Sequence, residues 1–291
     1  RYRITRGEEA REFSDPYAFA GQITEAEEKA FCAGVYYHAY EKLGAHPAEI
    51  NGVTGTSFAV WAPNAIRVSV VGDFNEWDGR CHTMHRMPMS GIFELFIPGV
   101  KAGDIYKYEL KLKGNRIELK SDPYAACTEV PPANASVVAD ISAFQWEDEE
   151  WMKDRKKFSN RKQPISIYET SLTEWKDAAE LAGFVKKLNY THVELHPVME
   201  YLDDEAGEYS TFAYYAPTRR FGMPQDFQKV INELHRAGIG VILDWTPSHF
   251  PRVEGGLELF DGTPLYENPD PSMSIHPIWG TLLYNFGSPM V

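Results

Sequence analysis

Three places in the sequence combine residue types that could do chemistry. In Asp244-Trp245-Thr246-Pro247-Ser248-His249, a carboxylate and an imidazole follow the apolar run Gly238–Leu243. In a barrel of alternating strands and helices, the strand carboxyl ends carry the active site, and a buried strand ending in Asp presents it there. The same residues also suit a loop-fixing Asp and a surface His. Further back, Tyr209, Phe212, Tyr214, Tyr215 and Phe221 crowd together beside Arg219 and Arg220. Such flat, partly polar rings either stack on sugar faces or pack beneath a long loop. The third place is Gly72-Asp73-Phe74-Asn75-Glu76-Trp77. Asp and Asn there favour a turn by bonding their own backbone. Phe74 is expected to pack, whereas Trp77 either caps a core or stacks on a sugar.

The elements that must position these residues fall into three stretches. Residues 1–50 are polar with a helical middle, and Thr24 three residues before Glu27 is a capping-box spacing. This segment carries no core of its own and should lean on the stretch after it. Residues 51–148 hold short runs rich in β-branched and aromatic side chains at 57–62, 67–72, 93–98 and 106–112. Turn residues punctuate them, which predicts an immunoglobulin-like β-sandwich. A charge-rich link from Trp146 to Arg161, read as a solvated face or linker, leads into the last stretch, residues 149–291. Strands are then expected at 164–169, 191–196 and 238–245, and helices at 177–188 and 224–237. Alternation of strand and helix implies parallel strands. Residues 246–291 read as one long loop segment, a length that is usually functional.

Composition narrows the class. The net charge of −13 comes without a basic run, so phosphate-backbone binding and nucleic acid are excluded as expectations. No apolar run has the length of a membrane span, so no membrane partner is expected. Cys32, Cys81 and Cys127 are widely spaced and odd in number, and read as buried, reduced thiols of a cytoplasmic protein.

At this point the residues resemble a family. Phe58-Ala59-Val60-Trp61-Ala62-Pro63-Asn64-Ala65, followed by Val68 through Trp77, resembles the glycogen-binding sandwich module of 1,4-alpha-glucan branching enzymes. Tyr40 through His46 is similar to the segment preceding that module. Phe184 through Leu195, and Tyr215-Ala216-Pro217-Thr218-Arg219-Arg220-Phe221-Gly222, are similar to the start of the family's barrel. Ala237 through Trp245 resembles the first signature region of the alpha-amylase superfamily. Phe260-Asp261-Gly262-Thr263-Pro264-Leu265-Tyr266-Glu267 and His276-Pro277-Ile278-Trp279-Gly280-Thr281 match a loop particular to branching enzymes. The sandwich motif alone would also fit debranching enzymes.

The resemblance implies a multidomain chain, with a glycogen-binding sandwich followed by the first three βα units of a truncated (β/α)8 barrel. It implies cleavage of an alpha-1,4-glucan and transfer of the chain to a 6-hydroxyl by retaining chemistry with two carboxylates, and no metal or organic cofactor. By the family pattern, Asp244 and His249 would line the donor-sugar subsite and Tyr209 would stack beneath that sugar. The family's nucleophilic Asp and acid–base Glu follow later barrel strands, so no catalytic residue is assigned here. Ile165 to Val291 is about half of the ~250 residues a complete barrel takes. An incomplete barrel would leave a sheet edge that self-association could cover. Ser171, Thr173, Gly207, Glu208 and Ser248 depart from the family pattern on the expected catalytic face. The alternatives are an amylase-type hydrolase or debranching enzyme, and a non-catalytic glucan-binding protein.

Overall fold

The runs at 57–62, 67–72, 93–98 and 106–112 all become strands: 67–72 keeps its bounds, and the other three begin one to four residues earlier. The structure is a computed structural model that describes residues 2–6, 9–159 and 163–291. It divides into two units. The first runs to Glu129 and includes Asn134–Asp140 and Ser248–Val291; the second comprises Val130–Ala133 and Ile141–Pro247.

The two main sheets of the first unit hold eight strands: β1 Gly44–Ile50, β2 Val53–Trp61, β3 Arg67–Gly72, β4 His85–Arg86, β5 Ile92–Pro98, β6 Ile105–Lys111, β7 Ile117–Lys120 and β8 Ser136–Val137. One antiparallel sheet has the order β1-β2-β5-β4, and in the other β6 pairs with β3, β7 and β8. Along β6 the residues alternate, turning Tyr106, Tyr108 and Leu110 inward. Tyr106 meets Phe58 of the facing sheet edge-on at 5.0 Å. Both tyrosine hydroxyls donate to the buried Asp122, at 2.6 and 3.0 Å. Burial pushes the Asp122 pKa up, although those hydrogen bonds oppose it. The segment read as residues 1–50, polar with a helical middle, ends in the structure as strand β1. Pro47 is tolerated because β1 is an edge strand, where a missing N–H leaves no ladder bond unmade.

Helix α1, Glu25–Cys32, starts at the expected capping box of Thr24 and Glu27. It leans on the sandwich as anticipated: Phe31 packs on Trp61 at 5.7 Å, ring centroid to centroid. Its buried Glu28 accepts from the Met89 and Ser90 backbone N–H groups and the Ser90 hydroxyl, at 2.9, 2.8 and 2.9 Å. A hairpin of Tyr2–Arg6 with Glu9–Phe13 was not anticipated.

Residues 248–291, expected with the barrel, pack in the first unit instead. The buried Asp261 holds Asn64, Tyr266 packs against Trp61 at 5.7 Å, and Lys120 Nζ donates to the Glu258 carbonyl at 2.8 Å. The stretch is not a bare loop, because His249–Phe250 pairs antiparallel with Leu282–Leu283.

In the second unit, β9 Ile167–Thr170, α2 Ala178–Lys187, β10 His192–Leu195, β11 Met199–Tyr201, β12 Thr211–Pro217, α3 Pro224–Arg236 and β13 Gly240–Leu243 follow in order. Strands β9, β10 and β13 are parallel and adjacent in that order. Val193 and Leu195 join Ala182 and Val185 of α2 and Val230 and Leu234 of α3 in one core. Helix α3 begins where Pro224 sits in the first turn and Asp226 accepts from the Met223 N–H at 2.8 Å. It stops at Ala237, and Gly238 takes the left-handed conformation that ends helices. Strand β13 needs glycine at its start: a Cβ on Gly240 would collide with the His192 ring.

Four expectations are corrected here. The expected three βα units are two, plus a third strand, because the chain after β13 enters the first unit. The aromatic stretch expected to form a loop is the β11–β12 hairpin. The charged link, whose residues 160–162 lie outside the described ones, is not simply a solvated face. Within it Trp151 is buried and stacks on His235 at 5.3 Å, beside a His235 to Asp148 contact of 2.7 Å. Nor are the cysteines all buried: Cys127 is, Cys32 is half-buried and Cys81 is exposed.

Candidate functional site

The parallel ladder of the second unit runs one residue past its strands. The His196 N–H donates to the Thr170 carbonyl at 3.0 Å, and the Asp244 N–H to that of Leu195 at 2.9 Å. His196 and Asp244 therefore stand side by side at the carboxyl ends of β10 and β13. Between β11 and β12, the chain brings Tyr209 to the same edge, where its hydroxyl donates to Asp244 Oδ2 at 2.9 Å. That bond to Asp244, with burial and the nearby Glu208 and Glu169, pushes the Tyr209 hydroxyl up to about 12. The ring is nonetheless 44% exposed, so a flat apolar face is open beside a carboxylate. A sugar ring uses such a pair well, stacking on the ring while its hydroxyls donate to the carboxylate.

Beside this pair lies a group that sequence reasoning did not single out as a site. His196 Nε2 lies 3.1 Å from a Glu169 carboxylate oxygen, and Nδ1 lies 3.2 Å from one of Glu208. Partial burial disfavours the charged ring, but the bonds to Glu208 and Glu169 outweigh it and raise its pKa above the ordinary value. The signal for these residues was present, since Glu169 and His196 stand at the ends of expected strands and Glu208 departs from the family pattern.

Of the expected trio, Tyr209 and Asp244 are brought together, whereas His249 belongs to the first unit. There it is buried and contacts Trp279 at 4.9 Å, with Trp279 stacked on His276 at 4.0 Å and 10°. Burial, helped by His276, lowers the His249 pKa. Arg220 has a structural role in the second unit. It lies over the Tyr201 ring at 3.9 Å, pairs at 2.6 Å with the buried Glu200, and also binds Asp204 at 2.6 Å. Of the departures, Ser171 and Thr173 follow β9, Gly207 precedes Glu208 with a positive φ of 74°, and the Ser248 carbonyl accepts from the Tyr284 N–H.

On the sandwich, Gly72–Trp77 forms the expected turn. Asn75 closes it by accepting from the Gly72 N–H at 3.0 Å and donating to the Val70 carbonyl at 2.9 Å. Phe74 is half-buried against His82. Trp77, 37% exposed, donates from its indole nitrogen to Asp73 at 2.8 Å, so its orientation is fixed while part of its surface is open. Among the described residues, no group of three His, Cys, Asp or Glu side chains could hold a metal ion, and no helix is long and apolar enough to cross a membrane.

Residues 42–125 match the family of carbohydrate-binding module 48 (isoamylase N-terminal domain). The 1,4-alpha-glucan branching enzyme GlgB of Cereibacter sphaeroides is 47% identical over 295 residues, covering 99% of this chain and 40% of that protein. That of Cellvibrio japonicus is 46% identical over 286 residues, covering 94% of this chain and 39% of that protein. The chain is a homologue of the branching enzymes. It spans about 40% of the length of the curated relatives it matches. Among solved structures, a pullulanase from Bacillus acidopullulyticus superposes with a TM-score of 0.68 at 20% identity, covering 85% of this chain and 35% of that one. At that identity the likeness speaks for the fold alone. This branching-enzyme homologue thus carries a carbohydrate-binding module 48 match within its sandwich, and its fold is like that of the pullulanase.

Proposed function

We propose that this chain is part of a protein that cleaves alpha-1,4-glucans and passes the released chain to a 6-hydroxyl, making alpha-1,6 branches. The observation that carries the reading is the Tyr209–Asp244 pair at the carboxyl ends of parallel strands, an exposed ring beside a fixed carboxylate. In this reading β9, β10 and β13 are the first strands of a (β/α)8 barrel, and 51–148 is an immunoglobulin-like glucan-binding module. Tyr209 and Asp244 hold the donor sugar.

The transfer is a double displacement. A carboxylate attacks the anomeric carbon while an acid protonates the leaving oxygen. The acceptor 6-hydroxyl then attacks the glycosyl-carboxylate ester, losing its proton to the same group acting as base. No residue of these 291 is assigned as that nucleophile or acid–base group. Asp244 already accepts from Tyr209 and is placed to bind hydroxyls rather than to attack. The chain by itself is therefore a glucan binder without transfer activity.

The test is an iodine-staining branching assay on amylose together with affinity electrophoresis in glycogen gels, on protein of verified 33.1 kDa mass. Retardation by glycogen without branching is expected. Branching at that mass would mean that the reacting carboxylates are among these residues and would overturn the assignment.

A further inference from the structure

His196 is the one imidazole in the second unit's site whose two ring nitrogens both face carboxylates among the described contacts, Glu169 at 3.1 Å and Glu208 at 3.2 Å. A carboxylate only accepts hydrogen bonds, and a neutral imidazole has one donor and one acceptor. Both contacts are satisfied together only when both nitrogens carry protons, that is, in the imidazolium. The two carboxylates come from different elements. Glu169 is on β9, whereas Glu208 is in the hairpin segment and is followed at once by Tyr209. The segment's backbone bonds among the described contacts are local: the Gly207 N–H donates to the Asp203 carbonyl and the Ser210 N–H to the Gly207 carbonyl, both at 3.0 Å, and Gly207 is left-handed with open space where a Cβ would sit.

We propose that His196 is a positioning residue, an imidazolium clasp that ties the end of β9 to the Glu208-Tyr209 turn and so keeps the Tyr209 ring on Asp244. The proposal rests on the reading of Tyr209 and Asp244 as a sugar-binding pair and adds a proton-controlled condition to it. Two further carboxylates stand near the clasp: Glu194, two residues earlier on β10, on the same face and in register with Glu169, and Asp244, which is engaged by Tyr209. Arg220, the cation next along the hairpin, is held by Glu200 and Asp204. No lysine or arginine contacts Glu169 or Glu208 among the described ion pairs, so the imidazolium is their cationic partner.

The sign follows from the raised pKa. The clasp is closed at acidic to neutral pH and opens as pH rises through the folded-state pKa of His196, above the ordinary value of 6.5. On opening, Glu208 loses its donor and Tyr209 is held by its Asp244 bond alone. Glucan affinity should then weaken although neither Tyr209 nor Asp244 has titrated.

Two measurements on the full 291-residue chain test this. By NMR, with resonances assigned through His196→Gln and Tyr209→Phe, the His196 ring should titrate above the usual His range. The Tyr209 ring should move with the same midpoint, and in Glu208→Gln, a near-isosteric change that keeps the fold, the midpoint should drop and the coupling vanish. A His196 midpoint at or below the usual range, or a Tyr209 ring that ignores it, overturns the clasp. By calorimetry with maltoheptaose, His196→Leu should weaken binding about tenfold at pH 6 and flatten the pH profile, about 1.4 kcal/mol at that factor. Unchanged affinity and profile in His196→Leu overturns it as well. If the unsubstituted chain binds no maltoheptaose, the sugar-binding reading of the pair fails, while the NMR titration still decides the clasp.

Discussion

Asp261 accepts from both the backbone N–H and the side-chain amide of Asn64, at 2.8 and 2.9 Å, across 197 residues of sequence. Asn64 closes the Trp61-Ala62-Pro63-Asn64 end of β2, and Asp261 opens the turn Asp261-Gly262-Thr263. The turn is fixed in its own right, because Thr263 donates its hydroxyl to the other Asp261 oxygen at 2.6 Å. The Asp261-Gly262-Thr263 turn is thus a clamp on the sandwich. Its carboxylate is buried and needs those donors.

Asp261→Ala should destabilise the first unit by about 2 kcal/mol, the range for hydrogen bonds to a charged group. Thermal unfolding of the chain checks it. Asp261→Asn should cost less, because a carbonyl oxygen can still accept from Asn64. Equal losses in the two variants would count against the clamp.

Glu28 gives a pH dependence. Burial alone would raise its pKa, but the Ser90 and Met89 donors reverse this and hold it below the ordinary 4.5. A depressed folded-state pKa stabilises above the unfolded value and loses that stability as pH falls through the folded value. Acid unfolding of the unsubstituted chain should therefore steepen below about pH 4.5. In Glu28→Gln, stability near neutral pH should be lower and the slope in that acid window shallower. Denaturant melts between pH 3 and 7 read both effects.

Tyr209 should be among the last tyrosines to ionise, near about 12, because its bond to Asp244 resists loss of the proton. In Asp244→Asn the carboxylate charge is gone, and the Tyr209 pKa should fall towards 10.0. Alkaline ultraviolet difference titration of that variant, with Tyr209→Phe to identify the step, checks the bond directly. An unmoved step would show that the hydroxyl does not bind Asp244 in solution.

Trp77→Ala separates glucan binding from folding. The ring is partly exposed, and its indole bond is to an exposed Asp73, so the stability cost should stay under about 1 kcal/mol. Retardation in glycogen gels should drop markedly. A variant that binds glycogen as before would return Trp77 to the role of a cap on the Gly72–Trp77 turn.

Leu234→Ala tests the second unit's core. Leu234 is fully buried with Val193, Leu195 and Val230. Its truncation should cost about 2–5 kcal/mol, the usual range for emptying such a site. Near-UV circular dichroism and thermal melts should report that loss in the second unit.

What the sequence determined by itself is local and periodic. The Thr24/Glu27 spacing gave α1, the helical spacing at 224–237 gave α3, and the β-branched and aromatic run at 106–112 gave β6. These signals survive without tertiary context because caps, helical spacing and strand composition act over a few residues. The motif ends at Asp244 and Tyr209 were legible for the same reason, as a strand end and an aromatic cluster. The tertiary structure decided everything that depends on pairing across distance. It made Gly44–Ile50 a strand in spite of Pro47 because an edge was available, and folded 199–217 into a hairpin. It drew 248–291 into the first unit through Asn64 and Asp261, taking His249 with it. It also set His196 between Glu169 and Glu208, which lie 27 residues before it and 12 after. A hydrogen bond between side chains so far apart leaves no periodic trace in the chain, since only folding brings donor and acceptor within reach.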